Sequence, residues 1–311
     1  MTIAWLFPGQ GSQSVGMARD VLAASPAARA VFQRADTALG EPLSRLVLEG
    51  PEGELTLTAN AQPAIVATSC AILEAIRERV PELAPPAFAA GHSLGEYSAL
   101  VAAGALTLEE ATRVVRARGL AMQNAGGSGA MAAIMGIEPD RLEALCRQAA
   151  EGQVLSPANF NGPGQIVVAG DAGAVARLAE LVSAEKGRAK PLNVSAPFHC
   201  ALMAPAARVV EAELSRVTIR PLRFPIVANF DAQPNADPAR VQELLVRQVD
   251  GAVRWDESIR RMAAAGVTHA LEIGPGKVLA GLVKRIVKDL KVLSVGDAEA
   301  VGRVAAFVAE A

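Results

Sequence analysis

The chain has 311 residues, half of them hydrophobic, and a net charge of −2 from 30 lysines and arginines against 32 aspartates and glutamates. That balance gives no support for nucleic-acid binding, and no apolar run approaches the roughly 18–20 residues of a membrane span. The cysteines Cys70, Cys146 and Cys200 are odd in number and scattered, which argues against a disulfide framework or metal knuckle and for a reducing, cytoplasmic compartment.

The opening Met1-Thr2-Ile3-Ala4-Trp5-Leu6-Phe7-Pro8 lacks the basic n-region of a signal peptide and runs straight into a strand over 3–7. Pro8-Gly9-Gln10-Gly11-Ser12-Gln13 then makes a loop whose backbone can approach a ligand. Ile65, Ile72, Leu73 and Ile76 give 59–80 a helical period. The apolar stretch 86–91 reads as a buried strand, and 94–104 as a helix. Between them Gly91-His92-Ser93-Leu94-Gly95 matches G-x-S-x-G in the strand–turn–helix setting of a nucleophile elbow. Residues 106–124 form a further helix, with Thr107 as N-cap and Glu109 and Glu110 in its first turn. Gly126-Gly127-Ser128-Gly129 reads as a hinge.

The texture changes from about 130. A strand over 130–136 and a helix over 139–150 precede paired strands at 154–160 and 165–170, turned at Asn161-Gly162-Pro163-Gly164. A helix over 172–186 and a strand over 189–194 complete a β-α-β-β-α-β order, the ferredoxin-like signature. A small subdomain over 128–195 therefore interrupts a larger α/β subdomain made of 1–127 and 196–311. The larger part resumes with a helix over 200–215. Strands near 224–229, 267–273 and 291–295 alternate with helices near 238–249, 277–288 and 297–309, which predicts a mainly parallel sheet covered by helices.

A nucleophilic Ser93 needs a base, and the chain has only three histidines. His92 adjoins Ser93, and adjacent side chains leaving a strand point to opposite faces. His269 lies in a strand-like run. His199 follows Pro197-Phe198 in a loop, where catalytic groups are commonly held. Elimination makes His199 the base. No Asp or Glu stands out to orient it, so a backbone carbonyl can hold the tautomer in a Ser–His dyad.

The whole series resembles the malonyl-CoA:acyl-carrier-protein transacylase family, with the related acyltransferase domains of polyketide synthases. Its motifs are Phe7-Pro8-Gly9-Gln10-Gly11-Ser12-Gln13, Gly91-His92-Ser93-Leu94-Gly95-Glu96, Arg118-Gly119 with Met122-Gln123, the run 158–165, Pro197-Phe198-His199 and Glu272-Ile273-Gly274-Pro275-Gly276. The resemblance implies an α/β-hydrolase-like large subdomain and a malonyl-serine intermediate on Ser93, with His199 as acid and base. It implies an oxyanion hole from the backbone N–H groups of Gln10 and Leu94. It implies that Arg118 grips the malonyl carboxylate, although on the residues alone Arg113, Arg116 and Arg118 read as a solvated helix face, as charges on a helix usually are. It places Gln248 near the histidine and Asn159 and Asn161 on a loop lining the cleft. Leu94 and Phe198 become the residues usual for a malonyl pocket. The substrates are then a CoA thioester and the phosphopantetheine thiol of acyl carrier protein, with no metal or bound cofactor, no nucleic acid, no membrane and a monomeric chain. Lys186, Arg188 and Lys190, or Lys284, Arg285 and Lys288, are candidate docking clusters for the acidic carrier. Other readings are a serine thioesterase or lipase, which has no use for Arg118, a non-catalytic docking module, and a polyketide-synthase or malonate-decarboxylase subunit with another carrier.

Overall fold

Ile3–Phe7 (β1) is apolar throughout and buried from Ala4 onward, as a central parallel strand must be. The structure is a computed structural model that describes residues 2–125, 127 and 129–310. Five helices follow β1: α1 (Arg19–Ala24), α2 (Pro26–Leu39), α3 (Leu43–Glu49), α4 (Glu52–Thr56) and α5 (Thr58–Arg79). The sequence reading assigned nothing between the Gln10 loop and α5. Yet α2 carries clear signals: Ser25 caps it by accepting from Ala28 N–H, Pro26 opens it, and Gly40 closes it at φ 68°. Helix α5 is buried on nearly every side up to Ile76, as a helix through the middle of the core is.

Next come β2 (Phe88–Gly91), α6 (Gly95–Ala103) and α7 (Leu108–Asn124). Thr107 and Glu110 form a full capping box at the start of α7. The expected hinge over 126–129 falls on positions 126 and 128, which lie outside the described residues. Then follow β3 (Gly129–Met135), α8 (Pro139–Ala150), β4 (Leu155–Gly162), β5 (Gln165–Asp171), α9 (Ala172–Ala184) and β6 (Arg188–Pro191). These strands pair antiparallel in the order β4-β5-β3-β6, which is the ferredoxin-like arrangement. Strand β6 stops at Pro191, short of the expected 194, and Leu192, Asn193 and Val194 line the cleft instead.

The remaining elements are α10 (Ala204–Leu214), β7 (Ile226–Val227), β8 (Pro234–Asn235), α11 (Pro238–Asp250), α12 (Trp255–Ala264), β9 (His269–Ile273), α13 (Val278–Ile286), β10 (Lys291–Val295) and α14 (Ala298–Ala309). The helix expected over 200–215 begins as a 3₁₀ turn at Ala201–Met203 and becomes α-helical at Ala204, where Pro205 suits a first turn. The main sheet runs β10-β9-β1-β2-β7-β8. It is parallel except for the short β7–β8 pair. Among the described residues no helix is long and apolar enough to cross a membrane.

The turn from β2 into α6 depends on two glycines. A Cβ on Gly91 would run into the backbone of Gly95, and one on Gly95 would run into the Phe7 carbonyl of β1. Gly95→Ala should therefore cost on the order of 3 kcal/mol, the upper range for overpacking a rigid site. Thermal unfolding should fall by several degrees. An unchanged melting temperature would show that the turn tolerates a side chain.

Candidate active site

The turn after β2 carries Ser93 at φ 51°, in the left-handed region that non-glycine residues avoid. Side-chain bonds hold it there. Ser93 N–H donates to Asn229 Oδ1 at 2.7 Å, and Asn229 Nδ2 donates to the Gly91 carbonyl at 2.7 Å. Ser93 Oγ thereby faces a cleft of about 320 Å³ between the two sheets. One wall brings Ser93, Arg118 and His199. The other brings Met131, Asn159 and Asn161 of the small sheet.

His199 sits at φ 60°, also strained, on the segment that returns from the small sheet. Its Nε2 lies 2.8 Å from Ser93 Oγ, and its Nδ1 lies 2.8 Å from the backbone carbonyl of Gln248. Nδ1 therefore donates to that carbonyl, and Nε2 presents its lone pair to the serine hydroxyl. Burial, and then the Arg118 guanidinium, push the imidazole down to about 3. At neutral pH the ring is uncharged and ready to accept a proton. The carbonyl expected as orienter is present, and it belongs to Gln248.

Arg118 is 1% exposed. Its Nη1 donates to Gln62 Oε1 at 2.8 Å, and its Nη2 to Gln248 Oε1 at 2.9 Å and Ser93 Oγ at 3.0 Å. Every oxygen it reaches is neutral, so the solvated-face alternative does not hold for this residue. Arg116, by contrast, pairs with Glu41 near the surface. The Gln248 amide also donates through Nε2 to the Ser93 carbonyl at 2.9 Å and to Glu96 Oε2 at 2.8 Å.

Gln10 lies on the loop after β1, which abuts the turn: His92 N–H donates to the Phe7 carbonyl at 3.0 Å. Among the described residues neither the Gln10 nor the Leu94 N–H has a protein acceptor. Both remain available to an oxyanion. The Gln10 side chain is tied back to Thr58 Oγ1 at 3.1 Å, and that hydroxyl lies 2.9 Å from Ser195 Oγ. The Leu94 side chain packs in the main core, so of the two pocket residues expected from the sequence only Phe198 lines the cleft.

His92 takes no part in the dyad. Its Nε2 bonds Asn161 Oδ1 at 2.8 Å across the cleft, and burial lowers its proton affinity. His269 is buried in β9 beside Thr268 Oγ1. Sequence reasoning missed Asn229, Gln62 and the function of Glu96. Asn229 closes the stretch read as a strand at 224–229. The carboxyl end of a strand in a parallel sheet is where site residues collect.

This arrangement can take an acyl group onto a serine and release it again, the chemistry of serine acyltransferases and hydrolases. The chain belongs to the acyl transferase domain family, whose model matches residues 4–306. It is 45% identical over 308 residues to the malonyl CoA-acyl carrier protein transacylase of Haemophilus influenzae, covering 98% of both chains. The crystal structure of an acyl carrier protein S-malonyltransferase from Vibrio cholerae matches with a TM-score of 0.95 and 43% identity, over 98% of this chain and all of that one. A malonyl-transacylase solved in complex with a type II polyketide-synthase acyl carrier protein matches with a TM-score of 0.93 and 42% identity, over 97% and 98%.

An uncharged fluorophosphonate should label Ser93 alone. His199→Ala should slow labelling by roughly 10²–10⁴-fold, the contribution of general-base catalysis, and His92→Ala by much less. Because His199 stays neutral down to about 3, the labelling rate should stay level from pH 8 to pH 5. A tenfold fall per unit below pH 6.5 would mean an ordinary, solvated histidine.

Proposed function

We infer that the enzyme moves a malonyl group from CoA to the phosphopantetheine thiol of an acyl carrier protein through a malonyl ester of Ser93. The observation that carries this reading is the fully buried Arg118 guanidinium, 3.0 Å from Ser93 Oγ and bonded only to neutral oxygens. No anion bonds the guanidinium directly, and a carboxylated acyl group supplies one as a bidentate partner. A thioesterase or lipase acting on plain acyl chains has no such need.

The reaction runs as two mirrored transfers. Ser93 Oγ attacks the thioester carbonyl while His199 Nε2 takes its proton. The developing oxyanion lies toward the Gln10 and Leu94 N–H groups, each worth on the order of 3 kcal/mol to the transition state. Collapse expels CoA, whose sulfur takes the proton from His199. The carrier thiol then loses its proton to His199 and attacks the ester, and Ser93 leaves with that proton. Each step exchanges an acyl group between sulfur and oxygen, so no metal or bound cofactor is called on. Phe198 narrows the pocket beside the acyl group. The free, buried thiols of Cys70, Cys146 and Cys200 suit the reducing, cytoplasmic setting in which a monomer of this kind would work.

Incubation with malonyl-CoA should add one malonyl mass, on Ser93, and holo-carrier protein should remove it. Ser93→Ala should form no adduct while keeping its fold. An adduct persisting in that variant would refute the assignment.

Arg118→Ala should lower the ratio of kcat/KM for malonyl-CoA to that for acetyl-CoA by a factor on the order of 10²–10⁴, or about 3–5 kcal/mol for a broken buried charge pair. If both rates fall in parallel, Arg118 supports the fold and does not select the substrate.

A further inference from the structure

Beneath the cleft lies a carboxyl group that the transfer chemistry leaves unused. Glu96 stands in the first turn of α6 and is 3% exposed. Both donors that reach it end on the same oxygen: Oε2 accepts from Gln248 Nε2 at 2.8 Å and from Asn229 N–H at 3.0 Å. Oε1 receives neither. The same Gln248 amide accepts from Arg118 at 2.9 Å, so a single amide separates the buried carboxyl from the buried cation. Among the described residues Arg118 is the only buried arginine or lysine.

Few charged or titratable groups face Glu96. Arg118 comes from α7, and Asp231 from the turn after β7, where Arg240 engages it at 3.1 Å. Tyr97, on α6 itself, is pushed up to about 12 by burial. His199, across Gln248, is held down at about 3. Neither ring changes charge near neutrality. Burial pushes Glu96 up to about 7, against the pull of Asn229, Gln248 and Arg118. Glu96 also borders a cavity of about 10 Å³ that it shares with Asn235 and apolar side chains such as Leu100 and Val241, close to the room one water needs.

One guanidinium cannot balance two carboxylates in a low-dielectric pocket. With the pocket empty, Arg118 and Glu96 offset each other through Gln248. A carboxylated acyl group on Ser93 brings a second negative charge to the same arginine. We propose that Glu96 is a proton-linked counterion of the acyl pocket: its carboxylate neutralises Arg118 when the pocket is empty and takes a proton from solvent, becoming a carboxylic acid, when a carboxylated acyl group docks. The proton has a place to go, because neither donor occupies Oε1. An acetyl group brings no charge and leaves Glu96 ionised. The sign follows from linkage: Glu96 binds its proton more tightly with malonyl in place, so malonyl docking consumes protons and weakens as pH rises through the titration of Glu96 in the free enzyme. The inference rests on the malonyl reading above.

The test is stoichiometric acylation at pH 7.5, followed by calorimetry in two buffers of different ionisation enthalpy, with the adduct weighed by mass spectrometry. Wild-type enzyme with malonyl-CoA should take up a fraction of one proton per site beyond what acetyl-CoA gives. Glu96→Gln with malonyl-CoA should take up none beyond that baseline. In wild type the malonyl-to-acetyl ratio of kcat/KM should also fall with pH above 7, toward the tenfold-per-unit limit for one linked proton, and this profile decides the matter should Glu96→Gln not fold. A malonyl adduct with no excess uptake and a level ratio overturns the proposal while leaving the malonyl reading intact. Equal uptake in Glu96→Gln also overturns it. Failure to form a malonyl adduct at all removes the reading beneath it, and the proposal with it.

Discussion

Gln248 touches four parts of the site at once. Its backbone carbonyl fixes the tautomer of His199. Its amide nitrogen holds the Ser93 carbonyl and Glu96, and its amide oxygen accepts from Arg118. Nucleophile, base and substrate cation therefore share one reference point on α11. Helix α11 itself is fixed by burying Val241, Leu244, Leu245 and Val249 on one face. The dyad needs no third carboxylate, because a rigid helix supplies the carbonyl that a carboxylate would otherwise provide. The buried Glu96 carboxylate meets the Gln248 amide and not the imidazole.

The cleft divides its work between the two sheets. The main sheet delivers the reacting atoms: the loop after β1 brings Gln10, the turn after β2 brings Ser93 and Leu94, and the residues after β7 bring Asn229. All lie at the carboxyl ends of parallel strands, where open α/β sheets collect their sites. The small sheet closes the other side with Met131, Asn159 and Asn161. The two parts are joined by the His92–Asn161 bond and by two backbone bonds of 2.9 Å, from Phe160 N–H to the Val253 carbonyl and from Val253 N–H to the Ala158 carbonyl. Burial lowers the proton affinity of His199 and raises that of Glu96, in both cases favouring the uncharged form.

Much of this was legible in the chain. The glycines at 91 and 95 pointed to a tight strand–helix turn, and their collision with neighbouring backbone is the physical reason. The scarcity of histidine isolates His199 from the sequence alone. Helix α7 was readable from its capping box, and the period-two and period-3.6 patterns placed the ferredoxin-like strands and helices to within a few residues. What escaped notice depends on distant contacts. Asn229 acts on Ser93 across 136 positions of sequence, and no local pattern encodes that. Glu96 belonged to a recognised motif, but its burial beneath Gln248 is a tertiary fact. Helix α12 lies outside the elements expected from the sequence, although Trp255, Ser258, Ile259 and Met262 mark one buried face. Leu94 was expected to line the pocket, yet its side chain follows the start of α6 into the core and leaves only its N–H at the site.

Substrate choice turns on how one buried cation meets one carboxylate next to a strained serine. The most direct measurement is a crystal structure of the trapped malonyl-enzyme. It should show an ester on Ser93 Oγ, its carbonyl oxygen within hydrogen-bond reach of the Gln10 and Leu94 N–H groups, and the free carboxylate paired with both Arg118 Nη atoms. An ester whose carboxylate turns toward solvent, with Arg118 still held by Gln62 and Gln248 alone, would contradict it.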